Sequence, residues 1–597
     1  MINRDLLHTL KQFALYRLDR KGGDIPFFKS IARLLLFRLT WKKRNIDYSP
    51  SGLDCDKFKS ARKAVAMIPD GSTVFTTGIA ANSRCSIFYW AIRERFMKTA
   101  SPRGITLVAL GGVGGRGKAP GTIEELGVPG LVDRHISAHL ETHKSLLMMA
   151  DRGLIELHTM PMGVLAFLVE AQGRGVRSIK TGVGTGTFVD PRSGPGTIMT
   201  LPNPGSLPSL SRPSGKLLKY SLPTIDVACF CAPYADREGN IYFKNAAVIT
   251  DNLDGVRAAK AAGGIALATV SGIIEKDEKS ISIPASMIDA VVVNPRNEQT
   301  GGVLQTNYYP MFTQGASADI KEAYLIIKLI NLFMGITPQR GKTESTIARM
   351  AASLFVEEAR PGAVVNIGVG LPEEVSRLLF ESGLYNDLVF TTESGIYNGL
   401  PTSGIYFGAG INPERIISSS AMFHLYEKEL DIAVLGFLQV DSKGNVNVSR
   451  KSGSLADYVG PGGFPNITSC AKTIIFVGNW MDGAKYSLRG GLLKIKKPGI
   501  GKFVSKVDEI TFNADAALRD GKNVYYVTTI GIFRLTVKGL ELIEIMPGIS
   551  TDDIRTTCGS DIVIPAWDFI PKVRPETVSG RGFSLQWKID SMKMTPN

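Results

Sequence analysis

Short apolar runs alternate with amphipathic stretches along the chain, in the order of strands followed by helices. Ser72–Phe75, Ile105–Leu110, Val227–Ala232, Ala363–Asn366, Val389–Thr392, Ile432–Leu435, Thr473–Val477 and Asn523–Val527 read as buried strands. Helical spacing of apolar residues covers Phe58–Met67, Ala323–Ile336 and Ser345–Ala359. The alternation predicts α/β architecture, with largely parallel sheets and helices outside them.

The order of elements repeats. Pro69-Asp70-Gly71, a strand and the turn Thr76-Thr77-Gly78 in the first half match Pro361-Gly362, a strand and the turn Gly368-Val369-Gly370 in the second. Asp226-Val227-Ala228 precedes Asp236-Arg237-Glu238-Gly239-Asn240 at the interval at which Asp431-Ile432-Ala433 precedes Asp441-Ser442-Lys443-Gly444-Asn445. Each of these Asp-x-x-Gly-Asn turns can open a hairpin. Two related mixed α/β domains follow: residues 55–300 and 345–597, joined by a Pro/Gly-rich linker over 301–344 and preceded by a basic extension, 1–54. The proline-rich stretch Ser193–Gly215 reads as an excursion within the first domain.

The 597 residues exclude a single small binding module, and no apolar run approaches the length of a membrane span. Net charge is +14, and half of that excess lies in residues 1–50, with eleven bases against four acids. Phe27, Phe28, Ile31, Leu34 and Leu35 recur there at helical spacing with Lys29, Arg33 and Arg38 between them. This predicts a helix packed on the body, with contact to a membrane surface as the alternative; no nucleic-acid motif accompanies it. Six scattered cysteines indicate a reducing, cytoplasmic setting, and Cys229 and Cys231 belong to a strand that points both thiols into a core.

Three glycine-rich turns are candidates for chemistry, because parallel sheets bind ligands beyond the carboxyl ends of their strands. Asn366–Glu373 carries Gly368 and Gly370; Leu388–Pro401 delivers Glu393 to a strand end, followed by Gly395 and Gly399; Tyr458–Phe464 holds Gly460, Gly462 and Gly463. A carboxylate beside donor amides suits acyl transfer from a thioester, since it needs no base and forms an anhydride that conserves the acyl potential. His135, His139 and His143, four residues apart, are expected on one helix face, where they read as an ordinary helix with no metal. Gly111–Lys118 lacks Walker spacing and reads as a lining loop.

With these segments in order, the chain resembles the family I coenzyme A transferases. It is most similar to the single-chain acetate/propionate type, in which the two subunits of oxoacid transferases are fused. The resemblance starts near Phe58 and rests on Glu393-Ser394-Gly395 with Gly399 and Pro401, Asn366–Pro372, Gly186–Arg192, Gln439–Val448, Gly462-Gly463-Phe464 and Gly539–Gly548. It implies two domains of the NagB/RpiA-like α/β kind with the active site in a cleft between them. It also implies a ping-pong exchange of coenzyme A between acyl-CoA and small carboxylic acids, through an acyl-glutamyl anhydride and a glutamyl-CoA thioester at Glu393.

By the same matching, the Gly462 and Gly463 amides are oxyanion donors. Gly368, Gly370, Gly395, Gly436, Gln439 and Gly78 line the CoA and acyl site. Coenzyme A is a substrate and transient adduct with no separate cofactor or metal, and the chain is expected to form a homo-oligomer. Arg192, Lys443 and Arg450 are candidates for the CoA phosphates. Two departures stand out: Pro161-Met162-Gly163 replaces the family's Pro-Gln-Gly, and Gly78-Ile79-Ala80-Ala81-Asn82 replaces its Gly-x-Pro-Glu. Alternative readings are a thioester hydrolase, if water reaches the anhydride, and a catalytically weak CoA-ester-binding protein.

Overall fold

In the computed structural model, residues 4–18, 26–80, 82–114, 120–201, 205–336 and 340–588 are described. The chain folds into two compact units. The first comprises Met1–Pro338, Thr392–His424 and Arg450–Asn466; the second comprises Gln339–Thr391, Leu425–Ser449 and Ile467–Asn597.

The first unit is built on β1 (Thr73–Thr76), β2 (Ile105–Ala109), β3 (Val132–Ser137), β4 (Glu156–His158), β5 (Val227–Ala235), β6 (Ile241–Tyr242), β7 (Ile265–Ile273) and β8 (Ala290–Val293). They form a sheet in the order β8-β7-β5-β1-β2-β3-β4, parallel throughout, with β6 antiparallel to the last residues of β5, off this path. The central strands are buried on both faces, which is why their sequences read as continuous apolar runs. Cys229 and Cys231 both lie in this core as free thiols. The excursion after Ser193 ends in a small antiparallel sheet, Ser211–Ser214 on Leu217–Ser221 on Ser178–Thr181.

Helices of this unit include α1 (Arg4–Leu18), α2 (Pro26–Thr40), α3 (Lys144–Asp151), α4 (Met162–Gln172), α5 (Asn252–Ala261) and α6 (Ile320–Phe333). The expected helix over the linker is α6, whose Asp319 side chain accepts the Glu322 N–H as its N-cap.

The second unit repeats the plan with β9 (Val364–Ile367), β10 (Val389–Thr391), β11 (Leu430–Leu435), β12 (Gln439–Asp441), β13 (Val446–Asn447), β14 (Thr473–Val477), β15 (Asn523–Val527), β16 (Gly531–Thr536) and β17 (Gly539–Ile545). The order is β10-β9-β11-β14-β15-β16-β17, parallel from β10 to β15 and antiparallel thereafter. The helix α7 (Lys342–Glu358) precedes it.

The duplication extends to single hydrogen bonds. The Asp226 carboxylate accepts the Thr73 N–H at 2.8 Å, and Asp431 accepts that of Val364 at 3.0 Å, so the carboxylates pin the starts of the corresponding strands β1 and β9. In one hairpin turn Asp236 Oδ1 accepts the N–H groups of Glu238 and Asn240, while Asn240 Nδ2 donates to Asp236 Oδ2. In the other, Asp441 Oδ1 accepts from Lys443 and Asn445, and Asn445 Nδ2 donates to Asp441 Oδ2. Both turns join antiparallel strands as expected, β5 to β6 and β12 to β13.

One expectation fails. His135, His139 and His143 do not share a helix face: His135 is in strand β3, His139 follows it in a loop, and His143 is the N-cap of α3. Spacing of four is also met when a strand, a turn and a helix start follow one another. The two buried rings meet, His135 Nε2 to His143 Nδ1 at 3.0 Å, and burial holds His135 down at about 4 and His143 well below its ordinary value. Both are core histidines. Among the described residues no group of three His, Cys, Asp or Glu is placed to hold a metal, and no helix is long and apolar enough to cross a membrane.

Candidate active site

The chain leaves β10 at Thr391 and enters a tight turn that presents Glu393. The Thr392 N–H donates to Ile396 O, and the Gly395 N–H to Thr392 O, both at 3.0 Å. Ser394 Oγ lies 2.8 Å from Thr392 Oγ1 and donates to Gly408 O. Gly395 has φ +102°, and a Cβ there would stand 1.8 Å from Ile417 O. The turn therefore closes only on glycine.

Against it lies the run Val459-Gly460-Pro461-Gly462-Gly463, which leads into α8 (Phe464–Cys470). This run is laced into the first unit by backbone pairing: Leu140 N–H to Val459 O (2.8 Å), Gly462 N–H to Ala138 O (2.9 Å) and Met162 N–H to Gly462 O (2.8 Å). Those bonds fix Gly463 beside Glu393. A Cβ on Gly463 would be 2.6 Å from Glu393 Cδ and 2.7 Å from Oε2, and the Gly463 N–H donates to the carboxylate. The residue as a whole keeps some contact with solvent, but its carboxyl group lies within a protein surround. Burial pushes that carboxyl up to about 7, against the opposing pull of the Gly463 N–H.

The sequence pairs Gly462 with Gly463 as donors, whereas their amides face different partners. That of Gly462 is committed to Ala138 O, and that of Gly463 reaches Glu393.

The surrounding wall comes from the loops after β1 and β2. Gly78, at φ +121°, would place a Cβ 2.8 Å from Asn82 O and 2.9 Å from Val113 Cγ1. Asn82 Nδ2 donates to Phe407 O at 2.7 Å, which sets the loop against Gly408 and so against Ser394. A Cβ on Gly111 would stand 3.2 Å from Ile79 Cγ1 and 3.3 Å from the Met162 methyl; Val113 N–H donates to His143 Nε2 at 3.3 Å, and Gly114 N–H to Thr142 Oγ1 at 3.2 Å. Of the lining loop, residues 115–118 lie outside the described residues, as does Ala81.

Met162, where the family has Gln, is buried at the start of α4. Its thioether fills space against Gly111 and offers no N–H donor. Beside it, Asn466 Oδ1 accepts the Gly163 N–H at 3.0 Å, and a Cβ on Gly163 would stand 2.5 Å from Asn466 Nδ2.

The first unit thus brings together Glu393, Gly395, Gly462, Gly463 and Gly78. Sequence reasoning missed Asn82, Ser394, Gly408 and Asn466 as their supports; the signal available was a small or amide residue beside a glycine turn, which is too common to single out. Gly368, Gly370, Gly436 and Gln439 belong to the second unit. Gly368 N–H donates to Val434 O at 2.8 Å, Gly370 stands at φ +92° with open space, and nothing lies within 4 Å of the Cβ position of Gly436. The Gln439 carboxamide oxygen accepts from Asn447 Nδ2 (2.8 Å) and Asp508 N–H (2.9 Å), and its nitrogen donates one N–H to Asp508 Oδ2 (2.9 Å). Of the candidate phosphate ligands, Arg192 is held by Asp190 at 2.8 Å and Arg450 lies 5.4 Å from the Tyr458 ring. A cavity of about 760 Å³ in the second unit is lined by Ser442, Arg555, Cys558, Ser560 and Asp561 among others, and takes none of the residues above.

No family model matches the chain. A caffeate CoA-transferase of Acetobacterium woodii is 32% identical over 549 residues, covering 89% of this chain and 98% of that one. This chain belongs to the CoA-transferase family. An acetate CoA-transferase of Escherichia coli K12, YdiF, is 30% identical over 524 residues, covering 87% of this CoA-transferase and 93% of the relative. The crystal structure of the acyl-CoA transferase YdiF from E. coli O157:H7, as a thioester complex with CoA, superposes with TM-score 0.77 at 27% identity, covering 90% of this chain and 99% of that one. The mixed α/β architecture with parallel sheets is thus that of a CoA-transferase, and coenzyme A enters as a substrate of the enzyme.

Proposed function

We propose that this CoA-transferase moves coenzyme A between short-chain carboxylic acids, with Glu393 as the covalent carrier. The observation that carries the reading is the Glu393 carboxyl group set against the Gly463 N–H in a protein surround. The ionised carboxylate attacks the thioester carbonyl of acyl-CoA, the C–S bond breaks, and CoA thiolate leaves an acyl-glutamyl anhydride. The thiolate then attacks the glutamyl carbonyl, the acid departs as its carboxylate, and a glutamyl-CoA thioester remains. A second carboxylate takes the CoA by the reverse steps.

At the glutamyl carbonyl a negative charge develops on oxygen, and the Gly463 amide serves as its donor, a role supported by its nearness to the carboxylate. Gly462 serves by its carbonyl, which holds the N-terminus of α4. Gly368, Gly370, Gly436 and Gln439 contribute to binding CoA. The names of the relatives, an acetate and a caffeate transferase, support carboxylic acids as donor and acceptor class. The two sequence halves 55–300 and 345–597, joined over 301–344, are the counterparts of fused subunits. The enzyme works in the cytoplasm as a homo-oligomer; its six free cysteines support the reducing compartment.

The test is borohydride treatment after incubation with acetyl-CoA, followed by peptide mass mapping. Reduction of Glu393 to the alcohol is expected, and only with acyl-CoA present. Reduction elsewhere, or none while new acyl-CoA still forms, overturns the assignment; release of free CoA without an acceptor would make it a hydrolase.

A further inference from the structure

Helix α2 has two apolar faces. Ile31, Leu34 and Phe37 are buried where it packs on α6 and on Val303–Leu304, which satisfies the expectation of a helix lying on the body. Leu35, Leu36 and Leu39 point the other way and are 43%, 63% and 83% exposed. At 100° per residue these three fall within an arc of about 100°, and the exposed Phe28 continues the row toward the helix start. Single exposed leucines are ordinary on a protein surface; a row of them on one arc is not.

The row is bordered by positive charge. Residues 26–44 hold six bases and no acid, and of these Lys29, Arg38, Lys42 and Lys43 are exposed. Trp41, half-buried at the helix end, lies 5.5 Å beneath the Arg38 guanidinium. An aromatic at the rim, a leucine row and flanking bases form the pattern that lies in the plane of a bilayer surface. A helix of 15 residues is too short to span one. The charge also weighs against a second copy of this chain as the occupant, since self-pairing would set the same bases against one another.

We propose that α2 docks the protein onto an anionic lipid surface. Leu35, Leu36 and Leu39 enter the boundary between headgroups and acyl chains, while Lys29, Arg38, Lys42 and Lys43 face lipid phosphates. This does not depend on the reaction assigned to Glu393.

The full chain is sedimented with phosphatidylcholine vesicles, with and without phosphatidylglycerol, at about 0.1 M and about 0.5 M NaCl. Binding is expected with the anionic vesicles alone and is weakened by salt. The variant Leu35→Ser/Leu36→Ser/Leu39→Ser should bind about 10-fold less, with unchanged Tm and transferase activity, because the side chains it removes are exposed. Should that variant unfold, Lys29→Gln/Arg38→Gln, which keeps the row intact, carries the same expected loss. Absence of binding, equal binding to neutral vesicles, or equal binding by wild type and variants overturns the proposal. A concentration-dependent dimer abolished by the leucine substitutions, with no vesicle binding, overturns it in favour of self-association.

Discussion

The chemistry of Glu393 is set by its surroundings more than by its residue type. With its carboxyl pushed up to about 7, the group is half protonated near neutrality, so adduct formation should rise about tenfold per unit of pH below 7 and level off above it. The same shift governs stability. The native state holds the proton that the unfolded chain gives up above about 4.5, so the cost of burying the charge is absent at low pH, grows between about 4.5 and 7, and is complete above. Glu393→Gln removes that cost. The variant is expected to abolish reducible adduct, to match wild type in stability near pH 4, and to exceed it by up to about 3 kcal/mol near pH 8 after discounting for solvent screening. Equal Tm values at both pH values would mean the carboxyl is not desolvated. From the chain alone, Glu393 was legible through the glycines around it. The direction of each amide was not: Gly462 and Gly463 are identical in sequence terms, and only the pairing of Ala138 with one of them distinguishes their roles.

At the scale of elements, the strands were legible because doubly buried parallel strands must be apolar throughout, and their bounds agree with the expected runs to within a few residues. The histidine segment misled because periodicity in polar residues carries no burial information, and β3 buries His135 among apolar neighbours. The two Asp-x-x-Gly-Asn turns allow a controlled comparison. Each carboxylate satisfies three donors at its hairpin, and Asp236 also accepts the Tyr242 hydroxyl at 2.8 Å. Asp236→Asn and Asp441→Asn each replace an acceptor by a donor, at a cost of about 1–3 kcal/mol, and Asp236→Asn should lower the Tm further. The reverse ranking, or no shift in either, would show that the turns are held by backbone geometry alone.

For the whole molecule, the duplication in sequence suggests two successive halves, while the folded chain places Thr392–His424 and Arg450–Asn466 in the first unit. No local pattern announces this, because it depends on pairings between residues hundreds of positions apart, such as Leu140 with Val459 and Gly163 with Asn466. Residues 1–344 expressed alone would lose those pairings, and Leu455 and Tyr458 would leave the core they share with Leu146 and Leu147. That fragment is expected to bind a hydrophobic dye and to be cut rapidly by protease, with protection restored by adding residues 345–597. A fragment that unfolds cooperatively on its own, without dye binding, would show that the later segments are dispensable.

The threading of the polypeptide has one more consequence. Gln339–Thr391 and Leu425–Ser449 both begin and end at stretches anchored in the first unit, so each is a closed loop even while the second unit is unfolded. While the first unit stays folded, closing these loops removes conformations from the unfolded second unit, and the saving grows only slowly with length. A protein whose cysteines are all unpaired thereby gives its second unit, from the route of the backbone alone, part of the entropic advantage of a covalent staple for as long as the first unit holds.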